Sequence, residues 1–191
     1  MPEATLYLFK SIGDFITIAM LLNFFFRLFR VDYYNPIVRG IVIIIDSPIR
    51  VLRNLLKPWF GIDIASLMFA FFLQVFCFYI ISMAGEISLP ALSILLWSFY
   101  SIVLLMLKMI FWAMLIGIIL SWISPLSSHP GVSLIHQLSD PIFKPFRAVL
   151  PPMGGLDFSP ILAFIFVNFI QILIRNLALD SGIPIRISIG F

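Results

Sequence analysis

The stretch Ser139-Asp140-Pro141-Ile142-Phe143-Lys144-Pro145-Phe146-Arg147-Ala148-Val149-Leu150-Pro151, continuing to Gly155-Leu156-Asp157-Phe158-Ser159-Pro160, is polar punctuation set between two long apolar runs. It has an earlier counterpart. Asp46, Arg53, Pro58, Gly61 and Asp63 stand 94 positions before Asp140, Arg147, Pro152, Gly155 and Asp157, and Pro36 stands 94 before Pro130. The spacing holds without a gap. It reads as a duplicated unit in which each copy wraps one polar loop between two membrane-crossing segments.

The runs outside the loops are long enough for that reading. Leu6–Phe29 would extend ~36 Å as a helix, enough to cross a bilayer at a tilt. Ile64–Met83 is a second run and Pro160–Leu179 a fourth. The third, Ala91–Ile123, is longer than one perpendicular span requires; subtracting 94 maps its part Phe99–Ile123 onto Thr5–Phe29. The division predicted is a first unit over 1–84 (spans about 6–29 and 64–83), a connector over 85–98, a second unit over 99–180 (spans about 99–123 and 160–179) and a tail over 181–191. The N-terminal run ends in Phe24-Phe25-Phe26-Arg27 rather than in small residues, so it reads as a retained helix and not a cleaved signal. Trp97 and Trp122 suit the two membrane boundaries.

The fold class expected is all-α: four transmembrane helices arranged as two helix–amphipathic loop–helix units. Each unit crosses twice, so both enter the membrane in the same direction. Parallel units are expected to be related by a pseudo-twofold along the membrane normal.

Composition agrees. Hydrophobic residues are 62% of the 191 and charged residues 11%, against about a quarter charged in a soluble domain. A net charge of +3 is too small to suggest nucleic acid. Cys77 is the only cysteine and lies in an apolar run, so no intrachain disulfide or thiolate metal set is available.

Charge distribution sets the orientation. The two loop regions hold Arg27, Arg30, Arg39, Arg50, Arg53, Lys57, Lys144 and Arg147, eight of the twelve basic residues. The positive-inside rule places both long loops in the cytoplasm and both termini outside. Asn35-Pro36 and Asp46-Ser47-Pro48 each read as a helix start, with a side-chain cap ahead of a first-turn proline. Ile49, Leu52, Leu55 and Leu56 then face away from Arg50, Arg53, Asn54 and Lys57, as in a short basic helix lying in an interface. In the second loop Ile142, Phe146, Val149 and Leu150 oppose Lys144 and Arg147, with Pro145 expected to shorten or kink the helix. Asp46, Asp63, Asp140 and Asp157 all sit where a helix is expected to begin, so capping is their first reading. The alternative pairs them with Arg53 and Arg147 as a charged surface able to order the loops or meet an anionic head group or a cation.

Two charges fall inside spans at matching places, Asp14 and Lys108. An unpaired mid-bilayer charge costs about 2.5–3.5 kcal/mol on insertion scales. Asp14 and Lys108 are therefore expected either to pair across the two units or to be relieved locally, Asp14 by Lys10 one turn away and Lys108 by snorkelling. Arg175 is expected to snorkel outward. Gln74 and Asn168, also 94 apart, read as interhelical hydrogen-bonding groups. No phosphate-binding glycine loop, metal-spaced histidine pair or catalytic triad pattern stands out. His129 and His136 read as solvated loop residues. No catalytic, cofactor or metal site is expected.

The string Asp-Pro…Pro-x-Arg…Pro…Gly-x-Asp-x-Ser-Pro over 140–160 resembles the signature of the YggT family, and 46–63 resembles a diverged second copy. The copy has Ser47-Pro48 where the family has proline directly after aspartate, and Lys57 where proline is usual. The resemblance implies a small bacterial inner-membrane protein with plastid relatives called YlmG. Bacterial members are linked to osmotic and ionic stress tolerance, and plastid members to nucleoid or division organisation and cytochrome complex assembly. The function expected is a non-enzymatic scaffold or assembly factor whose cytoplasmic basic helices contact membrane lipids or a partner membrane protein. The alternative is a small ion-handling protein acting as a homo-oligomer in osmotic or potassium stress.

Overall fold

The structure is a computed structural model that describes residues 3–55, 62–84, 89–124, 127–150 and 157–182. Six helices follow in order: α1 (Glu3–Leu28), α2 (Pro36–Leu55), α3 (Ile64–Ala84), α4 (Ala91–Ile123), α5 (Pro130–Val149) and α6 (Ser159–Asp180). Four of them, α1, α3, α4 and α6, are long and apolar enough to cross a membrane. Their bounds agree with the four apolar runs. α4 is unbroken over 33 residues, so at ~1.5 Å per residue it is ~50 Å long and must tilt or project beyond a ~30 Å hydrocarbon layer.

α1 packs along α3, and α4 along α6. These two antiparallel pairs are joined chiefly where α3 lies on α4. α2 nests against α1 and α3, α5 against α4 and α6, and the two short helices touch each other. Small residues allow the closest approaches. A Cβ at Gly13 would sit 2.4 Å from Cys77 Sγ on α3, and one at Gly117 would sit 2.6 Å from Ser139 Oγ on α5. Small side chains are how helices approach closely in a bilayer, where the hydrophobic effect gives little drive.

The loop helices differ from expectation. Neither restarts at its aspartate. α2 runs through Asp46-Ser47-Pro48, and α5 through Pro141 and Pro145. An interior proline costs ~3 kcal/mol. Burying one large aliphatic side chain contributes ~1.5–3 kcal/mol, and each helix keeps an unbroken inner stripe. On α2 the stripe is Val38, Ile45 and Ile49, and on α5 it is Leu134, Leu138 and Phe143, all buried. Packing therefore outweighs the proline, and Asp46 and Asp140 are interior helical residues rather than caps.

The caps lie earlier. Asn35 Oδ1 accepts the Ile37 N–H at 2.9 Å, and His129 Nδ1 accepts the Gly131 N–H at 3.1 Å. His129 is thus a capping residue, not merely a solvated one. Asn35 Nδ2 also donates to the Pro130 carbonyl at 2.7 Å, and the Asp32 N–H to Gln137 Oε1 at 2.6 Å, so the entry to α2 is bonded to α5. Beneath this join Phe24, Phe25, Phe26, Val31, Val38, Leu134 and Leu138 form one buried cluster. Trp122 is exposed as a boundary residue would be, but Trp97 is buried: its ring meets Phe78 edge-on at 6.2 Å and its Nε1 donates to the Ser181 carbonyl at 3.4 Å.

Candidate functional site

Two polar clusters stand out, one at the loop end of the bundle and one within the spans. At the loop end Arg53, in the last turn of α2, bridges two carboxylates. Its Nη1 lies 2.8 Å from Asp46 Oδ1 and its Nη2 2.8 Å from Asp63 Oδ2. Asp46 is two turns back on the same helix, and Asp63 is the residue before α3. Arg27, from the end of α1, closes the other side: its Nε is 3.0 Å from Asp63 Oδ2 and its Nη2 is 3.9 Å from Asp46. The Nε contact is electrostatic, since the N–H does not point at an acceptor. Asn23 Nδ2 donates to Asp46 at 3.2 Å, and the Ser66 hydroxyl to Asp63 at 2.8 Å. Two guanidinium groups and two carboxylates thus balance, and they fasten α1, α2 and α3 at one point.

The residues 94 positions on make a looser version. Arg147 Nε is 2.9 Å from Asp157 Oδ2, and its Nη1 is 3.7 Å from Asp140 Oδ1. This Arg147 side chain is 44% exposed, against 19% for Arg53. Ser121, Gly117 and Pro160 stand where Arg27, Asn23 and Ser66 would be, so the second arginine lacks the surrounding groups. Asp157 Oδ1 also accepts the Ser159 N–H at 2.9 Å, and Asp63 Oδ1 the Ser66 N–H at 3.3 Å. Asp63, directly before α3, therefore caps and pairs at once; Asp157 pairs and bonds the turn that leads into α6, whose N-cap is Phe158; and Asp46 and Asp140 pair without capping. Lys144 is exposed and makes no ion pair among the described residues. Pro58, Gly61, Pro152 and Gly155, with Lys57, lie outside the described residues, as do 85–88 of the connector and 183–191 of the tail.

The electrostatics follow the geometry. Burial alone would raise the Asp63 carboxyl, but the Ser66 hydroxyl and Arg53 outweigh it and hold Asp63 below the ordinary carboxylate value. Burial would likewise lower Arg53, yet its bonds to Asp46 and Asp63 leave it raised. Asp157 is also lowered; a small desolvation is exceeded by its bonds to Ser159 and Arg147.

Within the spans, Asp14 does not meet Lys108. It bonds to Lys10, one turn away on α1. Gln74 of α3 completes the set: its Oε1 accepts from Lys10 Nζ at 2.9 Å, and its Nε2 donates to Asp14 Oδ1 at 2.8 Å and reaches Thr17 Oγ1 at 3.0 Å. Ser101 of α4 reaches Gln74 Oε1 at 3.4 Å, so three helices enclose the cluster. Lys10, Thr17 and Gln74 are fully buried, and Asp14 nearly so. An i, i+4 neighbour needs no other helix to be placed, which explains why Lys10 is the partner. Lys108 is exposed on α4, and Asn168 bonds to the Phe164 carbonyl of its own helix rather than across helices.

A sequence model of the CCB3/YggT family matches residues 96–178, the region holding Asp140, Arg147 and Asp157. The YggT protein of Escherichia coli K12 is 31% identical over 180 residues, 92% of this chain and 92% of that one. The chain belongs to the CCB3/YggT family. An uncharacterized protein of Pseudomonas aeruginosa is 37% identical over 192 residues, covering 99% of this chain and 98% of its own length. A ycf19 protein of Guillardia theta is 37% identical over 70 residues, only 36% of this chain but 76% of that shorter one. No solved structure matches. In this YggT-family chain the arginine–aspartate contacts were readable from the repeated spacing. Arg27, Asn23 and Ser66 carry no such repeated spacing, whereas Lys10 is one of the two partners that the sequence offers Asp14. Asn23 did carry a signal, a lone amide inside an otherwise apolar run.

Proposed function

We propose that this YggT-family protein is a non-enzymatic multi-pass membrane scaffold or assembly factor of the bacterial inner membrane. In this reading its α2 and α5 side faces the cytoplasm, both termini lie outside, and the two halves are a duplicated unit related by a pseudo-twofold. The observation that carries it is the outer surface of the two loop helices. Arg39, Arg50 and Lys144 are exposed and unpaired among the described residues, whereas Arg53 and Arg147 are neutralised by aspartates. Ile43 and Ile44 of α2 are 65% and 77% exposed beside the free arginines. Apolar side chains flanked by free cations suit the boundary between acyl chains and anionic head groups. The neutralised arginines hold the scaffold together, and the free ones meet lipid or a partner's acidic surface.

The test uses the full-length protein in nanodiscs of mixed phosphatidylcholine and phosphatidylglycerol. Native mass spectrometry should find phosphatidylglycerol retained preferentially, and an Arg39→Gln, Arg50→Gln, Lys144→Gln triple variant should lose that preference. Equal retention by both would refute the lipid contact. The ion-handling alternative has less support, because Lys10 and Asp14 neutralise each other in an enclosed cluster. Liposomes loaded with the pure protein should show no potassium flux above empty vesicles; a flux abolished by Asp14→Asn would reverse the preference.

A further inference from the structure

An open cleft of about 330 Å³ lies between α4 and α6, lined by Lys108, Asn168, Gln171 and Arg175 together with Leu104 and Ile172. Stepping back 94 positions turns Leu104, Lys108, Asn168 and Ile172 into Lys10, Asp14, Gln74 and Phe78. The cleft is therefore the counterpart of the enclosed polar cluster between α1 and α3. The two differ in their third wall. In the first, α4 lies over α3: Ser101 reaches Gln74, Trp97 covers Phe78, and both α3 side chains are buried. In the second, no helix among the described residues occupies that place on α6; Asn168 is exposed and Ile172 is 51% exposed. The charge also differs. The first cluster holds one cation and one carboxylate, while the cleft has two cations, and no acid is among its lining residues.

We propose that this cleft receives a transmembrane helix of a partner protein that carries one acidic side chain at mid-bilayer depth. The partner helix would lie on α6 as α4 lies on α3, and its carboxylate would meet Lys108 and Arg175. A second copy of this chain cannot supply that group, because Asp14 is the only acid in the interior of a described span and it is buried against Lys10. A lipid phosphate does not fit either. Lys108 is 17 residues from the start of α4 at Ala91 and 15 from its end at Ile123, so it sits at the middle of the helix, more than ~20 Å along the axis from either end, whereas head groups lie toward the ends. The inference concerns a different face from the lipid contact of α2 and α5, and it stands or falls independently of it.

The probe is a synthetic leucine–alanine transmembrane peptide with one central Asp, compared with the same peptide carrying central Leu or Asn. Association with the labelled full-length protein is read by energy transfer in phosphatidylcholine vesicles. The Asp peptide should bind at least about ten-fold more tightly than the other two. The advantage should vanish in Lys108→Leu, persist in Lys108→Arg and weaken in Arg175→Gln. Lys108→Leu removes an exposed charge from an apolar helix, so it should insert and fold; monodispersity and helicity confirm this. Equal binding of all three peptides, or undiminished Asp-peptide binding to Lys108→Leu, would overturn the proposal. So would Lys108-dependent dimers in single-molecule photobleaching, because the occupant would then be a second copy.

Discussion

Arg53 Nη2 lies 2.8 Å from Asp63 Oδ2, and this contact joins the end of α2 to the entry of α3. The Asp63 side chain is 4% exposed, so little water is available to replace the guanidinium. Asp63→Asn should lower stability by about 1.5–3 kcal/mol, the range for hydrogen bonds to charged groups. Asp157→Asn and Asp140→Asn should each cost less than about 1 kcal/mol, because their arginine is half in solvent. Thermal unfolding of the purified proteins in detergent would check the order; equal losses at 63 and 157 would refute it.

The same carboxylate sets a pH dependence. Asp63 is held below its ordinary value in the folded protein. Its contribution is therefore fully present above the unfolded carboxylate value of about 3.9 and disappears as pH falls through the lower folded value. The melting temperature should be insensitive to this group from neutral pH down to about 5 and should drop at lower pH. Asp63→Asn should flatten that drop, whereas Arg53, raised further from an already high value, adds no slope in this window.

The intramembrane cluster makes a third expectation. Asp14→Leu leaves the Lys10 ammonium enclosed without its carboxylate, at a cost of about 2.5–3.5 kcal/mol on insertion scales. Membrane levels of that variant should fall, and Lys10→Leu/Asp14→Leu should recover them. Lys108→Asp combined with Asp14→Lys should fail to restore them, since the two positions do not touch. Quantitative blots of membrane fractions separate these outcomes.

Glycines provide a fourth. Gly117→Ala places a methyl 2.6 Å from Ser139 Oγ and 3.0 Å from its Cβ, so the Ser139 hydroxyl must turn away and its Cβ give way by a few tenths of an ångström, costing about 1–3 kcal/mol as overpacking does. Gly40, on the exposed face of α2, has nothing within 4 Å. Gly40→Ala should stabilise by up to about 1 kcal/mol through helix propensity alone. Opposite shifts in melting temperature are expected.

The spans were legible because a bilayer imposes length and apolarity on any helix that crosses it. The Arg53 and Arg147 contacts were legible because the same residue types recur 94 positions apart. Arg27, Asn23 and Ser66 escaped for the converse reason: Ser121, Gly117 and Pro160 stand at their counterparts, so no repeated signal marked them. The continuity of α2 and α5 through their prolines was not legible, because it depends on a stripe such as Val38, Ile45 and Ile49 being covered by neighbours distant in sequence. The partner of Asp14 was narrowed to two, and only the packing of α1 against α3 decided for Lys10.

The bond from Asn35 to the Pro130 carbonyl spans 95 residues of chain. A ribosome adding about 5–20 residues per second takes roughly 5–20 s to cover that distance. For that interval Phe24, Phe25 and Val38 of the nascent chain lack the Leu134 and Leu138 that cover them in the finished molecule. These side chains are thus without that cover on every round of synthesis until Leu134 and Leu138 arrive, and slow codons between the two would lengthen the interval without changing a single residue.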